Sequence, residues 1–370
     1  ERGRRPELRD HRGGARGLPR RLALERAPVY FRGVRTYNVR NPVKLKENNH
    51  VKIAILDDYQ QIAMQSADWR SLPAGTEVKS FADTIADRDE LVRRLQPYDV
   101  IVAMRERTRF PAQVIDALPN LRLIVSTGGR NPSIDAEACA RRKIALCSAH
   151  GAASSNSSTA EVTWSLVLAL VKRIPQADKA MHAGGWQESV ITESLAGKTL
   201  GLLGLGRLGK YVAKYGQAFG MNVIAWSPHL TDERAAEVSV RRVSKEALFA
   251  ESDVVSLHLV SNAATRGIVG AAEIAAMKPT AYLVNTSRGQ LIDEQALISA
   301  LQTRRIAGAG LDVFWTEPLQ KDHIVRRLDN VVLTPHLGYV VDENLKMFYQ
   351  NAVKNIRSWI AGEPLTPMGR

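Results

Sequence analysis

Four segments gather side chains able to bind phosphate, move a proton or grip a carboxylate. Gly204-Leu205-Gly206-Arg207-Leu208-Gly209 follows the apolar run TLGLL and precedes a helical pattern, the G-x-G-x-x-G spacing of a dinucleotide turn. Its first glycine permits a tight turn, its second lets a pyrophosphate approach the backbone, and its third lets helix pack on strand. The phosphates would then meet free N–H groups at a helix N-terminus. Residues 285–289 (NTSRG), 310–318 (GLDVFWTEP) and 334–339 (TPHLGY) each come after a strand-like run. Their polar groups thus fall beyond the C-terminal ends of strands, where open parallel sheets hold ligands. Arg288 is a planar fork suited to a carboxylate, and His336 exchanges a proton near neutrality. Glu317 is suited to hold the imidazole by a hydrogen bond and raise its pKa. Singly, each has a plain structural explanation: a surface arginine, a strand-end histidine, a glutamate pairing with Lys321. Together, beside a dinucleotide turn, they make a hydride-transfer site with a base, its orienter and a carboxylate anchor. No metal is expected.

The elements that must position these groups are legible as alternating patterns. VKIAIL (51–56), DVIVA (99–103), LRLIV (121–125), TLGLL (199–203), NVIAW (222–226), VVSLH (254–258), AYLVN (281–285) and VVL (331–333) read as strands. They are apolar on both faces, as in a parallel sheet covered by helices on each side. Helical patterns lie between them, including DELVRRL, EVTWSLVLALVKRI, YVAKYGQAF and DEQALISALQ. This alternation predicts an α/β chain of doubly wound parallel sheets. The small polar stretch GAASSNSSTA (151–160) precedes a long amphipathic helix and reads as a hinge between two domains. A last helix, ENLKMFYQNAVKNIRSWIAG, is suited to carry the chain back to the first domain. The expected organisation is discontinuous: residues 51–152 with 339–370 form one domain, residues 153–338 the dinucleotide-binding Rossmann domain, and a cleft divides them.

Composition is that of a globular chain, 45% hydrophobic and 24% charged over 370 residues. No apolar run approaches the roughly 20 residues needed to span a bilayer, and no signal-peptide pattern is evident. Cys139 and Cys147 form no C-x-x-C pair and read as reduced core thiols of a cytoplasmic protein. The net charge of +13 raises nucleic-acid binding as a possibility. The charge is uneven, however: residues 1–50 carry fourteen Lys/Arg against five Asp/Glu, and the remaining residues carry 37 against 33. This basic N-terminal extension, rich in Arg, Gly and Pro, is expected to be poorly structured. A targeting segment or a polyanion contact are its other readings.

LGLLGLGRLG, NTSRGQLIDE, AGAGLDVFWTEPL and LTPHLGY together resemble the signatures of the D-isomer-specific 2-hydroxy-acid dehydrogenases, over roughly residues 51–362. The resemblance implies a flavodoxin-like substrate domain beside the Rossmann domain. It implies that Arg288 binds a substrate's carboxylate and carbonyl, and that Glu317 pairs with a catalytic His336. Thr286, Asp312 and Gly338 would contact the nicotinamide half of the coenzyme, and Ser287 and His258 would add cofactor contacts. In the first domain, VSTGGRNPSID (125–135) resembles the family's glycine loop, whose amides grip the substrate carboxylate; Gly128 and Gly129 take that role. AMRERTRF (103–110) resembles a loop facing the cleft, and Arg105 matches a substrate-directed arginine, against the plain reading of solvated charge shared with Arg107 and Arg109. The implied reaction interconverts a D-2-hydroxy acid and its 2-oxo acid, with His336 as acid and base. Trp315, Tyr339 and Phe348 are alternative pocket linings. A homodimer through the cofactor domain is implied by resemblance alone.

Ser227, 23 residues after Gly204, occupies the family's usual site for an Asp that bonds the ribose 2′-OH of NAD and repels the 2′-phosphate of NADP. Its presence predicts dual use of NAD and NADP or a mild lean to NADP, with Arg234, Arg241 or Arg242 as candidate phosphate contacts. The rival reading is a dinucleotide-sensing, co-repressor-like interaction protein on the same fold.

Overall fold

The computed structural model describes residues 50–187 and 191–369. Most of the basic extension expected over residues 1–50 therefore lies outside the described residues.

Five strands make the first sheet: β1 (Lys52–Ile55), β2 (Glu77–Ser80), β3 (Val100–Ala103), β4 (Leu123–Thr127) and β5 (Ala145–Ala149). Their order is β2-β1-β3-β4-β5, and every pair is parallel. Seven make the second: β6 (Thr199–Leu203), β7 (Asn222–Trp226), β8 (Arg241–Arg242), β9 (Val254–Leu257), β10 (Tyr282–Asn285), β11 (Gly308–Leu311) and β12 (Val331–Leu333). Their order is β12-β11-β10-β9-β6-β7-β8, again parallel throughout. The fold is two doubly wound parallel-sheet α/β domains, as the alternating pattern predicts. Each order reverses once, between β1 and β3 and between β6 and β9, and at such switch points the loops part to leave a crevice.

Alternate residues of each strand serve two cores. Ile53, Ile55, Val100 and Val102 pack beneath Phe348, Tyr349, Ala352 and Ile356 of the helix Asp342–Ala361. Ala54, Ile101 and Ile124 pack against Leu91, Leu95, Val114 and Leu118 on the other side. The last helix thus returns to the first sheet. Asn344 fastens it there, accepting a bond from the Ala152 amide at 2.9 Å and donating to the Tyr339 carbonyl at 2.7 Å.

Two expectations about the hinge are corrected. The helix begins inside the stretch 151–160 and runs over Ser155–Val171, so only residues 151–154 remain a connector. Serine and threonine disfavour helix interiors because their hydroxyls compete for backbone. Here Ser158 and Thr159 instead donate to the Gly338 carbonyl, at 3.1 and 2.7 Å. Nor is this helix amphipathic: among its described side chains only Glu161 and Ser165 are exposed. It lies between β10–β12, the helix Arg207–Ala218 and the turn at 337–339, so it is enclosed on nearly every face. Strands β2, β5, β8 and β11 are absent from the expected set: β2 (EVKS) and β8 (RR) are polar edge strands, and β5 (ALCSA) and β11 (GAGL) are rich in Ala, Gly and Ser, which lack the β-branched signature of a strand.

Both cysteines are buried and unpaired. Among the described residues, no helix is long and apolar enough to cross a membrane, and no cluster of three His, Cys, Asp or Glu is placed to hold a metal ion.

Candidate active site

At the β6/β9 switch point, Gly204 adopts φ +111° against the end of β9. A Cβ there would lie 2.7 Å from the His258 carbonyl carbon. A Cβ on Gly209 would sit 2.2 Å from the Gly204 carbonyl oxygen, so the helix Arg207–Ala218 closes tightly on the turn. At Gly206 a Cβ would meet no atom within 4 Å, and no side chain caps this helix. The protein does not itself require that glycine; an open cradle before an uncapped helix start fits a pyrophosphate. Arg207 is exposed and Leu208 half-buried beside it. His258 lies behind the turn, its Nε2 2.8 Å from Ser256 Oγ and its Nδ1 without a partner. Burial pushes its pKa down to about 3, so it is a neutral group.

Ser227 is half-buried just past β7. Of the three candidate phosphate contacts, Arg241 is paired to Glu251 at 2.5 Å, and Arg242 donates to the Leu230 carbonyl at 2.9 Å. Arg234 lies in the short helix Asp232–Ala236, its Nη1 3.4 Å from the His229 carbonyl.

The three strand-end segments converge. Asp312 orders the turn that carries His336: Oδ1 accepts from Thr334 Oγ1 at 2.5 Å and from the Leu337 amide at 2.7 Å, and Oδ2 from the Gly338 amide at 3.0 Å. Burial raises the Asp312 pKa despite these donors. Thr286 and Thr163 share a buried bond of 2.8 Å, and Ser287 donates to the Leu259 carbonyl at 2.6 Å. Asn285 closes the next turn by donating to the Arg288 carbonyl at 2.9 Å.

His336 Nδ1 lies 2.7 Å from Glu317 Oε2, and Glu317 Oε1 accepts from the Phe314 amide at 2.9 Å. With Nδ1 engaged by a carboxylate, Nε2 is the nitrogen left for proton exchange. Burial pushes the Glu317 carboxyl up, but its bond to His336 and the charges of His336 and Arg107 outweigh this and hold it at about 2. At His336 the expected effect of Glu317 is present but opposed. Glu317 does raise its pKa, yet burial and the charges of Arg107 and Arg288 win, and the net shift is downward.

The second cation in that balance comes from the first sheet's loop after β3. Arg107 lies on the His336–Glu317 pair: Nη1 donates to Glu317 Oε2 and is 2.9 Å from His336 Nδ1, and Nη2 is 3.4 Å from the Tyr339 hydroxyl. The plain reading of Arg107 as solvated charge is therefore wrong, and holds only for the exposed Arg109. Arg105 faces the cleft as expected. Its guanidinium lies over Gly128, where φ is +89° and a Cβ would be 2.1 Å from Arg105 Nη1. The amide role given to Gly128 is corrected, since its N–H donates to the Ala149 carbonyl at 2.8 Å. Gly129 adjoins it, with its carbonyl accepting from the Gly369 amide. Glu106, between the two arginines, reaches Arg288 Nη2 at 3.1 Å, while Arg288 Nη1 holds the Ser287 carbonyl at 2.7 Å.

Glu106 and Arg107 escaped sequence reasoning; the signal available was the alternating charge of MRERTR in a loop already taken to face the cleft. Of the three aromatic candidates, only Tyr339 meets the catalytic cluster, 5.6 Å edge-on from the His336 ring. Phe348 is in the first core, and Trp315 donates to the Ile292 carbonyl at 2.8 Å beside His323.

Comparison with known proteins adds an independent line. Residues 164–338 match the family described as "D-isomer specific 2-hydroxyacid dehydrogenase, NAD binding domain". The chain is 39% identical over 265 residues to a D-3-phosphoglycerate dehydrogenase of Archaeoglobus fulgidus, covering 71% of this chain and 49% of that one. It is 38% identical over 256 residues to a hydroxypyruvate reductase of Thermotoga maritima, covering 68% and 81%. A crystal structure of a phosphoglycerate oxidoreductase from Vibrio cholerae superimposes with a TM-score of 0.79 at 36% identity, covering 84% of this chain and 99% of that one. The chain spans about half the length of the D-3-phosphoglycerate dehydrogenases it matches.

Proposed function

The chain belongs to the D-isomer specific 2-hydroxyacid dehydrogenases, and from this and the cleft geometry we propose that it interconverts a D-2-hydroxy acid and its 2-oxo acid. A nicotinamide coenzyme, when bound, supplies or takes up the hydride. Residues 153–338 would hold it: Gly204, Gly206, Arg207, Leu208 and Gly209 at the pyrophosphate, His258 and Ser287 alongside, and Thr286, Asp312 and Gly338 at the nicotinamide end. The open cradle at Gly206 supports this reading. Residues 51–152 and 339–370 would supply the substrate lobe, with Arg105, Gly128 and Gly129 lining it. Arg288 orients the 2-oxo acid by its carboxylate. In the reducing direction His336 gives the carbonyl oxygen a proton from Nε2 as the carbonyl carbon gains hydride, and Glu317 stabilises the imidazolium before that transfer. The observation carrying the proposal is the 2.7 Å His336–Glu317 bond, in one cleft with Arg288.

Ser227, with Arg234 in the short helix that follows, supports use of both NAD and NADP with a mild lean to NADP. A homodimer through the cofactor domain is supported by apolar side chains exposed there, Ile174 at 54% and Met181 at 52%. The buried free thiols support a reducing, cytoplasmic setting. The sensing alternative is not supported, because the relatives above are named as dehydrogenases, reductases and oxidoreductases.

The test is oxidation of NADH and of NADPH against glyoxylate, hydroxypyruvate, pyruvate, phenylpyruvate and 2-oxoglutarate. Turnover of at least one is expected, together with a loss of roughly 100-fold or more in His336→Asn while coenzyme binding persists. Normal turnover in that variant would overturn the assignment.

A further inference from the structure

The named relatives act on both phosphorylated and unphosphorylated acids, so the choice of substrate falls to the side chains of this cleft. Three guanidiniums face it, Arg105, Arg107 and Arg288. Two carboxylates answer them: Glu317 pairs with Arg107, and Glu106 pairs with Arg288 at 3.1 Å. Arg105 is left over. Its Nε is enclosed without a hydrogen-bond partner, and its guanidinium lies between the Tyr339 ring, 5.7 Å from the centroid, and the Gly128 backbone. Apart from the His336 imidazole, whose proton passes to the substrate, the cleft has one uncompensated positive charge. Two more carboxyls stand close behind. Asp57 is bonded by Thr84 and by Thr108 at 2.8 Å, and Asp312 by Thr334 and the 337–338 amides. Any charge on them acts in the same direction, against further anions.

Glu106 is built into this arrangement. The Arg105 amide donates to Thr127 Oγ1 at 2.9 Å, Asn131 Nδ2 donates to the Arg105 carbonyl, and Thr108 is tied to Asp57. Arg105 itself takes φ +51°, a left-handed conformation that turns the loop over. Held on both sides, the loop directs the Glu106 carboxylate onto Arg288. Burial pushes that carboxyl up, and the charges of Arg288 and Arg105 more than offset it, so it stays ionised.

We propose that Glu106 is a specificity-determining residue, a fixed internal anion that takes up part of the Arg288 fork and restricts the cleft to 2-oxo acids bearing a single negative charge. This rests on the oxidoreductase reading above. A lone carboxylate matches the one spare cation, Arg105, and shares Arg288. A second carboxylate or a phosphate on the substrate would find no further unpaired guanidinium among Arg105, Arg107 and Arg288 and would lie against Glu106.

The experiment compares hydroxypyruvate with its 3-phosphate, which share a carbon skeleton and differ in charge, using the full chain and its preferred coenzyme. The wild type is expected to favour hydroxypyruvate in kcat/KM. Glu106→Gln keeps the side-chain shape and removes the charge, and is expected to shift the ratio toward the phosphate by about tenfold or more, chiefly through KM. Should that variant not fold, Glu106→Ser serves the same comparison. An unchanged ratio, or a wild type that already prefers the phosphate, would overturn the proposal. Calorimetric binding of oxamate, a monoanion, and malonate, a dianion, separates the two readings. If no 2-oxo acid is turned over, the oxidoreductase reading fails. The filter still stands if the wild type binds oxamate over malonate and the variant gains malonate, and falls if it does not.

Discussion

At the scale of single residues, His336 is held between opposing influences, and its titration measures them. Burial and the charges of Arg107 and Arg288 lower its pKa; the bond to Glu317 raises it. Reduction of a 2-oxo acid needs the protonated imidazole, so kcat/KM in that direction should fall as pH rises through the pKa of His336 in the free enzyme, with its inflection below the ordinary value of 6.5. Arg107→Gln removes a cation that disfavours the imidazolium and should move the inflection up. Glu317→Gln removes the anion that favours it and should move the inflection down, while lowering the rate roughly 100-fold. The measurement is a pH–rate profile for each variant, and two profiles that move the same way would mean that another group titrates. These residues differ in how readable they were. Arg288, Glu317 and His336 follow strand-like runs, and strand ends are where such sheets place ligands. Glu106 and Arg107 act through partners 182 and 210 residues away, a pairing no local pattern encodes.

Elements bring those distant residues together, and glycines set how closely. The turn after β10 crosses the segment after β11 so tightly that a Cβ on Gly289 would lie 2.1 Å from the Phe314 carbonyl carbon and 2.5 Å from the Trp315 nitrogen. These are backbone atoms, so neither can yield without moving Glu317 relative to Arg288. Gly289→Ala should therefore cost about 3 kcal/mol or more of stability, a loss at the upper end for overpacking, and should lower turnover with it. Gly206→Ala meets no protein atom and should leave the melting temperature near the wild-type value while weakening coenzyme binding about tenfold or more. Thermal melts and coenzyme titrations on the pair check both. Equal melting losses in the two would mean that the Gly206 cradle is not open space for a ligand. The elements themselves were legible where β-branched residues and leucines run together: β6, β7 and β12 span TLGLL, NVIAW and VVL, whereas β11, buried throughout, is the glycine-rich GAGL. β2 and β8 were not, because edge strands such as EVKS and RR carry polar side chains and announce themselves only through their neighbours.

On the scale of the whole molecule, the two sheets point the ends of β3, β4, β10, β11 and β12 into one cleft, and charge is nearly balanced in the described body around it. Many of its surface cations are paired, Arg94 with Asp83, Arg141 with Asp116, Arg304 with Asp329 and Lys346 with Asp342. The strongly basic character belongs instead to residues 1–49, with fourteen Lys/Arg against five Asp/Glu. Polyanion binding grows with the number of cations that displace condensed counterions, and it weakens as salt rises. A chain of residues 50–370 should therefore lose most of any heparin or duplex-DNA affinity seen at low salt, about tenfold or more, and with it the steep salt dependence. Both sheets and all four apolar cores lie within residues 51–369. The same truncation should consequently leave the melting temperature and coenzyme oxidation unchanged. Retained polyanion affinity in the truncated chain would assign the charge-driven binding to the folded body and reopen the nucleic-acid reading of the net +13.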